Sequence, residues 1–271
     1  MLEPSKEAVL DNLSKVKGLS PDAVEEVLKR KAKLSFYNKS KYDFQKLMAD
    51  PADIASNLRN YINGFSKNAR NILEHFNFDD HIERLDKANL LFLVVKRFAE
   101  VDLHPDTVPN IEMGYIFEAL IRKFADLSNE TAGEHFTPRE VIRLMVNILF
   151  LNDKQILTRK GILKTLYDPA CGTGGMLSVA EEYLRELNPD ADLRVFGQEL
   201  NPESYAICNS DMLIKGQNTD HIKFGNSFTQ DGLKNEKFDY MLSNPPFSVQ
   251  WNNKEDNLRA SDDCCANLLE H

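Results

Sequence analysis

The sequence of 271 residues holds only four cysteines, Cys171, Cys208, Cys264 and Cys265, and no CxxC pair. That is too few, and too irregular a spacing, for a disulfide framework. Its six histidines make no HxxxH or comparable ligand spacing, so nothing in the sequence points to a metal site. No apolar run approaches the length of a membrane span, and the first residues lack the basic-then-apolar layout of a signal peptide. A cytoplasmic protein with no membrane partner is the expectation. Positive charge is also short: 33 Lys and Arg stand against 42 Asp and Glu, a net charge of −9. This argues against a chain that grips nucleic acid unaided, and leaves room for a local basic face or a partner that supplies one. Internal repeats and low-complexity tracts are missing too.

What is present is the composition of a soluble globular protein, 42% hydrophobic and 28% charged. The first 130 or so residues read as helical. Met113, Ile116, Phe117, Leu120, Ile121 and Phe124 recur at helical spacing and form one apolar stripe. Leu85, the run Leu90–Val95 and Phe98 suggest another helix, buried on most sides. Ser20-Pro21-Asp22 and Asp50-Pro51 read as helix starts with Pro in the first turn. Nothing in this half declares chemistry.

The pattern changes near "TAGEHFTP" (131–138). Thr137-Pro138-Arg139-Glu140 predicts a capping box that opens a helix carrying Val141, Leu144, Met145, Ile148 and Leu149. Strands are then expected near Thr165–Tyr167, Leu193–Gly197, Ile222–Phe224 and Phe238–Leu242. Helices are expected from about Gly174 to Leu187 and from Asn201-Pro202 to before Gly216. Such alternation means right-handed βαβ units and a mostly parallel sheet, and ligands of such sheets bind beyond the carboxyl ends of the strands.

Those ends are informative as a set. The first carries "DPACGTGGM", with Asp168 and the glycines Gly172, Gly174 and Gly175 around Thr173. This loop lets backbone approach a ligand closely, ahead of a helix N-terminus. The second carries Glu199, a carboxylate able to accept from both hydroxyls of a ribose diol. The third carries Asn226, whose amide is able to pair with the edge of an adenine. The fourth carries Asn244-Pro245-Pro246-Phe247, a rigid turn that presents an amide, a carbonyl and a ring. Each alone fits ordinary turn chemistry; four in succession point to a site.

"GEHFTPRE" joined to "DPACGTGG", Glu199 and "NPPF" resembles the modification (M) subunits of type I restriction–modification systems, adenine-N6 DNA methyltransferases that use S-adenosylmethionine. The resemblance implies an α/β fold: a helical N-terminal domain (1–130), then a partial class I, Rossmann-like, S-adenosylmethionine-dependent methyltransferase domain (131–271). It implies that Glu134, His135, Phe136, Thr137, Pro138 and Arg139 lie along the cofactor, with Phe136 and Thr137 near its methionine portion. Asp168, Gly172, Thr173, Gly174 and Gly175 would cradle the amino-acid end, Glu199 the ribose and Asn226 the adenine. Aspartate is commoner than asparagine at this last position. Asn244, Pro245, Pro246 and Phe247 would form the catalytic loop, with no metal. DNA, a specificity (S) subunit and a restriction (R) subunit are the implied partners. Each position also has a plainer reading: Thr137 as a helix cap, Phe136 as a staple, Arg139 as a solvated residue, Cys171 as a small packing residue.

Two alternatives stay open on the sequence. One is an N-methyltransferase acting on protein glutamine or on RNA, with the same chemistry at Asn244. The other is a non-catalytic assembly module. The residues after Phe247, "SVQWNNKEDNLRASDDCCANLLEH", are polar and do not resemble the further strands of a complete methyltransferase sheet. The chain therefore reads as a fragment of such a protein, expected to be weakly active or inactive alone and to self-associate through an uncovered sheet edge.

Overall fold

A computed structural model of the chain describes residues 3–103, 107–108, 110–127 and 137–245. These form two compact units: residues up to Ala119 with Asn209–Thr219, and Leu120–Cys208 with the residues from Asp220 onward.

The first unit is helical, with α1 (Glu3–Asn12), α2 (Pro21–Ala32), α3 (Phe44–Met48), α4 (Ile54–Asn63), α5 (Lys67–His75), α6 (Phe78–Lys87), α7 (Leu91–Ala99) and the start of α8 (Asn110–Leu127). Ser20 caps α2 as expected, accepting a hydrogen bond from the Ala23 N–H at 3.4 Å ahead of Pro21. Among the described residues, two small cores hold the unit. Val9, Leu28, Ala32 and Tyr37 make one, and Leu47, Ile54, Ile82, Leu91 and Val95 the other.

Two elements differ from the sequence expectation. Asp50-Pro51 does not open a helix; α4 begins at Ile54, after a turn. The segment from Leu85 to Phe98 is two helices, because Asn89 takes a left-handed conformation (φ 54°) that breaks α6 from α7. α7 buries Leu91 and Val95 and exposes Leu93 and Phe98, so it is a half-buried surface helix.

The second unit is α/β. Its helices are α9 (Arg139–Phe150), the short α10 (Lys154–Leu157), α11 (Gly175–Leu187) and the first part of α12 (Pro202–Ile214). The strands are β1 (Leu163–Asp168), β2 (Asp192–Glu199), β3 (Ile222–Phe224) and β4 (Tyr240–Met241), all parallel in the order β3-β2-β1-β4. The chain moves outward from β1 to β3, then returns to the other side of β1 for β4. That reversal puts a topological switch point beside β1, where such sheets bind ligands. β4 is shorter than the expected Phe238–Leu242, although the Leu242 N–H still donates to the Tyr167 carbonyl at 3.0 Å.

The capping box is also corrected. Pro138 stands at the cap position of α9 with no side-chain cap bond, and its carbonyl accepts from the Ile142 N–H at 3.1 Å. Thr137 therefore lies one residue too early to cap the helix. The buried face of α9 is Ile142, Val146 and Phe150, while Val141, Leu144 and Ile148 are exposed, Ile148 at 64%. The helix is apolar on two sides, and aromatic packing selects one: the Phe150 ring meets Tyr240 edge-on at 4.9 Å and tilts against Tyr183 at 6.1 Å. α11 buries Met176, Leu177, Val179, Ala180 and Leu184 under it.

Candidate active site

The site is built at the carboxyl end of the sheet. β1 delivers Asp168, whose carboxyl is 1% exposed and accepts from the Ala170 N–H at 3.0 Å. The chain then turns tightly: the Gly174 N–H donates to the Cys171 carbonyl at 2.8 Å, and the Cys171 N–H to the Gln198 carbonyl at 3.0 Å. Burial pushes the Asp168 carboxyl up to about 7. The Ala170 N–H and the nearby Ser243 hydroxyl offset part of that rise, and the charge of Glu199 adds to it. Ser243 Oγ is itself buried and makes no hydrogen bond of normal geometry.

The loop glycines do different jobs. Gly172 (φ 53°) has nothing within 4 Å of where a side chain would begin, so the backbone there faces open space. Gly174 (φ 83°) has the Cys208 Sγ 2.7 Å from that position, so its missing side chain is what lets α11 start against α12. Cys171 and Cys208 are both buried behind the loop. The hydrogen bond between their thiols, followed by burial, holds Cys171 well above the ordinary thiol range, so it is a protonated packing group and no nucleophile.

β2 ends in Glu199, whose two carboxylate oxygens accept from the Gly172 N–H at 2.8 Å and the Asn201 N–H at 2.7 Å. The Glu199 carboxylate is thus tied to the glycine loop across 27 residues of sequence. After β3, the Asn226 Oδ1 accepts from the Phe228 N–H at 2.9 Å in an Asx turn. The Ser227 hydroxyl donates to the Pro169 carbonyl, joining this turn to the first loop.

β4 leads out to Asn244 and Pro245. The Asn244 Nδ2 donates to the Thr137 Oγ1 at 3.1 Å, a bond that links residues 107 apart in sequence. Thr137, released from capping, takes the amide end of Asn244 instead. Arg139 is turned toward α11, where it pairs with Glu182, and Arg143 pairs with Glu186 at 2.6 Å. Glu134, His135, Phe136, Pro246 and Phe247 lie outside the described residues. The structure therefore gathers Thr137, Asp168, Gly172, Glu199, Asn226 and Asn244 at one end of one sheet. Ser243, Gln198 and Cys208 join them without having been singled out in the sequence. A serine, a strand glutamine and a helix cysteine carry no motif signal; only their burial against the loops marks them.

Residues 110–267 match the family described as N-6 DNA Methylase, more than half of the chain, and residues 1–98 match the HsdM N-terminal domain. The chain belongs to the N-6 DNA methylase family. Among curated relatives, it is 29% identical over 165 residues to the type I restriction enzyme MjaIX methylase subunit of Methanocaldococcus jannaschii, covering 60% of this chain and 27% of that one. It is 28% identical over 204 residues to the EcoEI methylase subunit of Escherichia coli, covering 72% and 39%. The chain thus spans well under half the length of these relatives. A crystal structure of a type I restriction-modification methyltransferase subunit from Streptococcus thermophilus superposes with a TM-score of 0.65 at 24% identity, covering 97% of this chain and 58% of that one. That likeness concerns the fold.

The residues present fit S-adenosylmethionine, the cofactor that the sequence resemblance implies. Gly172 leaves room for close approach, Glu199 stands at the end of β2 for a diol, and the Asn226 amide stands at the end of β3. Among the described residues, no helix is long and apolar enough to cross a membrane.

Proposed function

We propose that the chain is part of the M subunit of a type I restriction–modification system, an adenine-specific DNA methyltransferase that methylates N6 of a base turned out of the duplex. In this reading residues 1–130 form the helical domain and 131–271 the beginning of the methyltransferase domain. Sequence recognition comes from a separate specificity subunit, which suits a chain of net charge −9. A restriction subunit completes the assembly.

The observation that carries the reading is the Asn244–Thr137 hydrogen bond. An exocyclic adenine amine is a poor nucleophile because its lone pair is delocalised into the ring. Two acceptors are needed to hold its hydrogens and draw the lone pair out of the plane. With its Nδ2 committed to Thr137, Asn244 turns its Oδ1 to accept one amine hydrogen, and the Pro245 carbonyl accepts the other. Both acceptors also stabilise the positive charge that develops on nitrogen. Pro245 and Pro246 stiffen the turn, so little entropy is lost in holding that geometry. Phe247 offers a face for the extruded base. S-adenosylmethionine, when bound, supplies the electrophilic methyl group. Asp168, the glycine loop, Glu199 and Asn226 orient it from the strand ends, with Thr137 on the side of Asn244.

The test is Asn244→Ala, assayed with the specificity subunit present and radiolabelled methyl donor on DNA, protein and RNA substrates. Transfer to DNA is expected from the complete M subunit that carries this segment, and the variant should lose it while keeping S-adenosylmethionine affinity. A variant that lost affinity and kept its rate, or label appearing in protein or RNA instead, would overturn the assignment.

A further inference from the structure

Gln198 is 0% exposed, next to Glu199 near the end of β2. A buried primary amide destabilises a fold unless both its ends are hydrogen-bonded. Both are, and to one turn far along the chain. Its Nε2 donates to the Gln230 carbonyl at 2.9 Å, and the Gly232 N–H donates to its Oε1 at 3.1 Å. That turn closes a short segment whose other end is also tied to β2, since the Gly225 N–H donates to the Glu199 carbonyl at 2.9 Å.

Asn226 lies between these two anchors. Its main-chain carbonyl accepts from the Thr229 and Gln230 N–H groups at 3.1 and 2.8 Å, and its Oδ1 accepts from Phe228 N–H. The Asx turn commits the side-chain oxygen to the protein's own backbone. What Asn226 offers a ligand is therefore its Nδ2, a donor suited to a ring nitrogen of a purine. There is little slack behind it: a Cβ on Gly225 (φ 136°) would stand 3.2 Å from Gln230 Oε1 and 3.6 Å from Gln198 Nε2. An apolar side chain at position 198, like Leu193 or Val195 of the same strand, would serve the sheet alone. A glutamine bonded twice to the 225–232 turn serves the turn.

We infer that Gln198 is a positioning residue: its buried amide fixes the 225–232 turn to β2, and so sets the orientation in which Asn226 reads the purine ring of the cofactor. The inference rests on the cofactor reading of this site. Its consequence is base selectivity, a property that general destabilisation does not change.

The experiment is calorimetric titration of the chain with S-adenosylhomocysteine and with its inosine counterpart, which carries a 6-oxo group and a protonated N1. The unaltered chain should prefer the adenine form. Gln198→Leu should bind the adenine form about tenfold more weakly, the scale of one lost buried polar contact, with a much smaller change for the inosine form. The ratio of the two affinities therefore falls. An equal loss for both ligands, or an unchanged ratio, overturns the inference and leaves the cofactor reading intact. An unaltered chain that binds neither ligand overturns the cofactor reading itself, and the inference with it. If circular dichroism finds Gln198→Leu unfolded, Gln198→Glu takes its place. That variant keeps the length and the acceptor for Gly232, loses the donor to Gln230, and should lower the same ratio by a smaller factor.

Discussion

The two left-handed glycines of the DPACGTGG loop make a quantitative test of the site's architecture. Gly172→Ala places a methyl group in open space at φ 53°, so its cost is the conformational one alone, about 1–2 kcal/mol. Gly174→Ala meets the same backbone penalty at φ 83° and also drives a Cβ to 2.7 Å from the Cys208 Sγ. Overpacking of that kind adds roughly 1–3 kcal/mol, so the total is expected at about 2–5 kcal/mol. Cys208→Ala removes the sulfur. In the double variant the clash should vanish and the φ penalty remain, a coupling of about 1–3 kcal/mol between the two sites. Urea titration of the unaltered chain and these four variants, fitted to the unfolding of the unit that carries the sheet, measures it. If the proposed cofactor site is right, ligand titration should show the reverse ranking: Gly172→Ala is the mild change for stability and the severe one for binding, because only its methyl group stands in the open space before the loop. If Gly174→Ala unfolds no more easily than Gly172→Ala, or the double variant is additive within about 0.5 kcal/mol, the placement of Cys208 behind the loop is wrong.

Other outcomes follow from the buried and clipped carboxyls. Asp168, raised to about 7 by burial against an unfolded value near 3.9, holds its proton more tightly folded than unfolded. Its contribution is fully present below about pH 4 and is lost as pH rises to about 7, on the order of 4 kcal/mol in all. Asp168→Asn should therefore flatten the stability–pH curve over that window, and a variant with the slope of the unaltered chain would contradict it. Asp239 is the opposite case. Partial burial pushes it up, but hydrogen bonds from Lys164 and from the Thr165 N–H and hydroxyl outweigh this and hold it below the ordinary carboxylate value. Its contribution is present above the unfolded pKa and lost as pH falls through the folded one. Asp239→Ala should cost roughly 1–3 kcal/mol at neutral pH, by loosening the start of β4, with a smaller difference in acid. Equal destabilisation at pH 7 and pH 3 would exclude the clip.

Much of the second unit was legible without coordinates. β1, β2, β3, α11 and α12 fall where alternating apolar runs and the Gly and Asn-Pro punctuation put them, because short βα connections leave the chain few alternatives. The helical half was legible in kind but less so in detail. The break at Asn89 rests on one residue entering the left-handed region, which asparagine permits without announcing it. The residues expected at Glu134–Phe136 and at Pro246 and Phe247 lie outside the described structure.

By itself, the sequence determined which residues stand at the strand ends: Asp168 and Glu199 close β1 and β2, Asn226 and Asn244 follow β3 and β4, and a parallel sheet points all such ends one way. Only tertiary structure decided what those residues can do. Burial, a property of the packed unit and not of the motif, moves the Asp168 proton. The side of α9 that faces inward was settled by Phe150 meeting Tyr240, 90 residues further on, since the helix is apolar on two sides. Thr137 reads as a cap by spacing, yet bonds Asn244 because the helix begins one residue later than the motif suggests. Gln198 reads as one polar residue in a strand, and becomes the anchor of a distant turn only when β2 and that turn are brought within hydrogen-bond reach. Such contacts join residues tens of positions apart, and local periodicity holds no information about them.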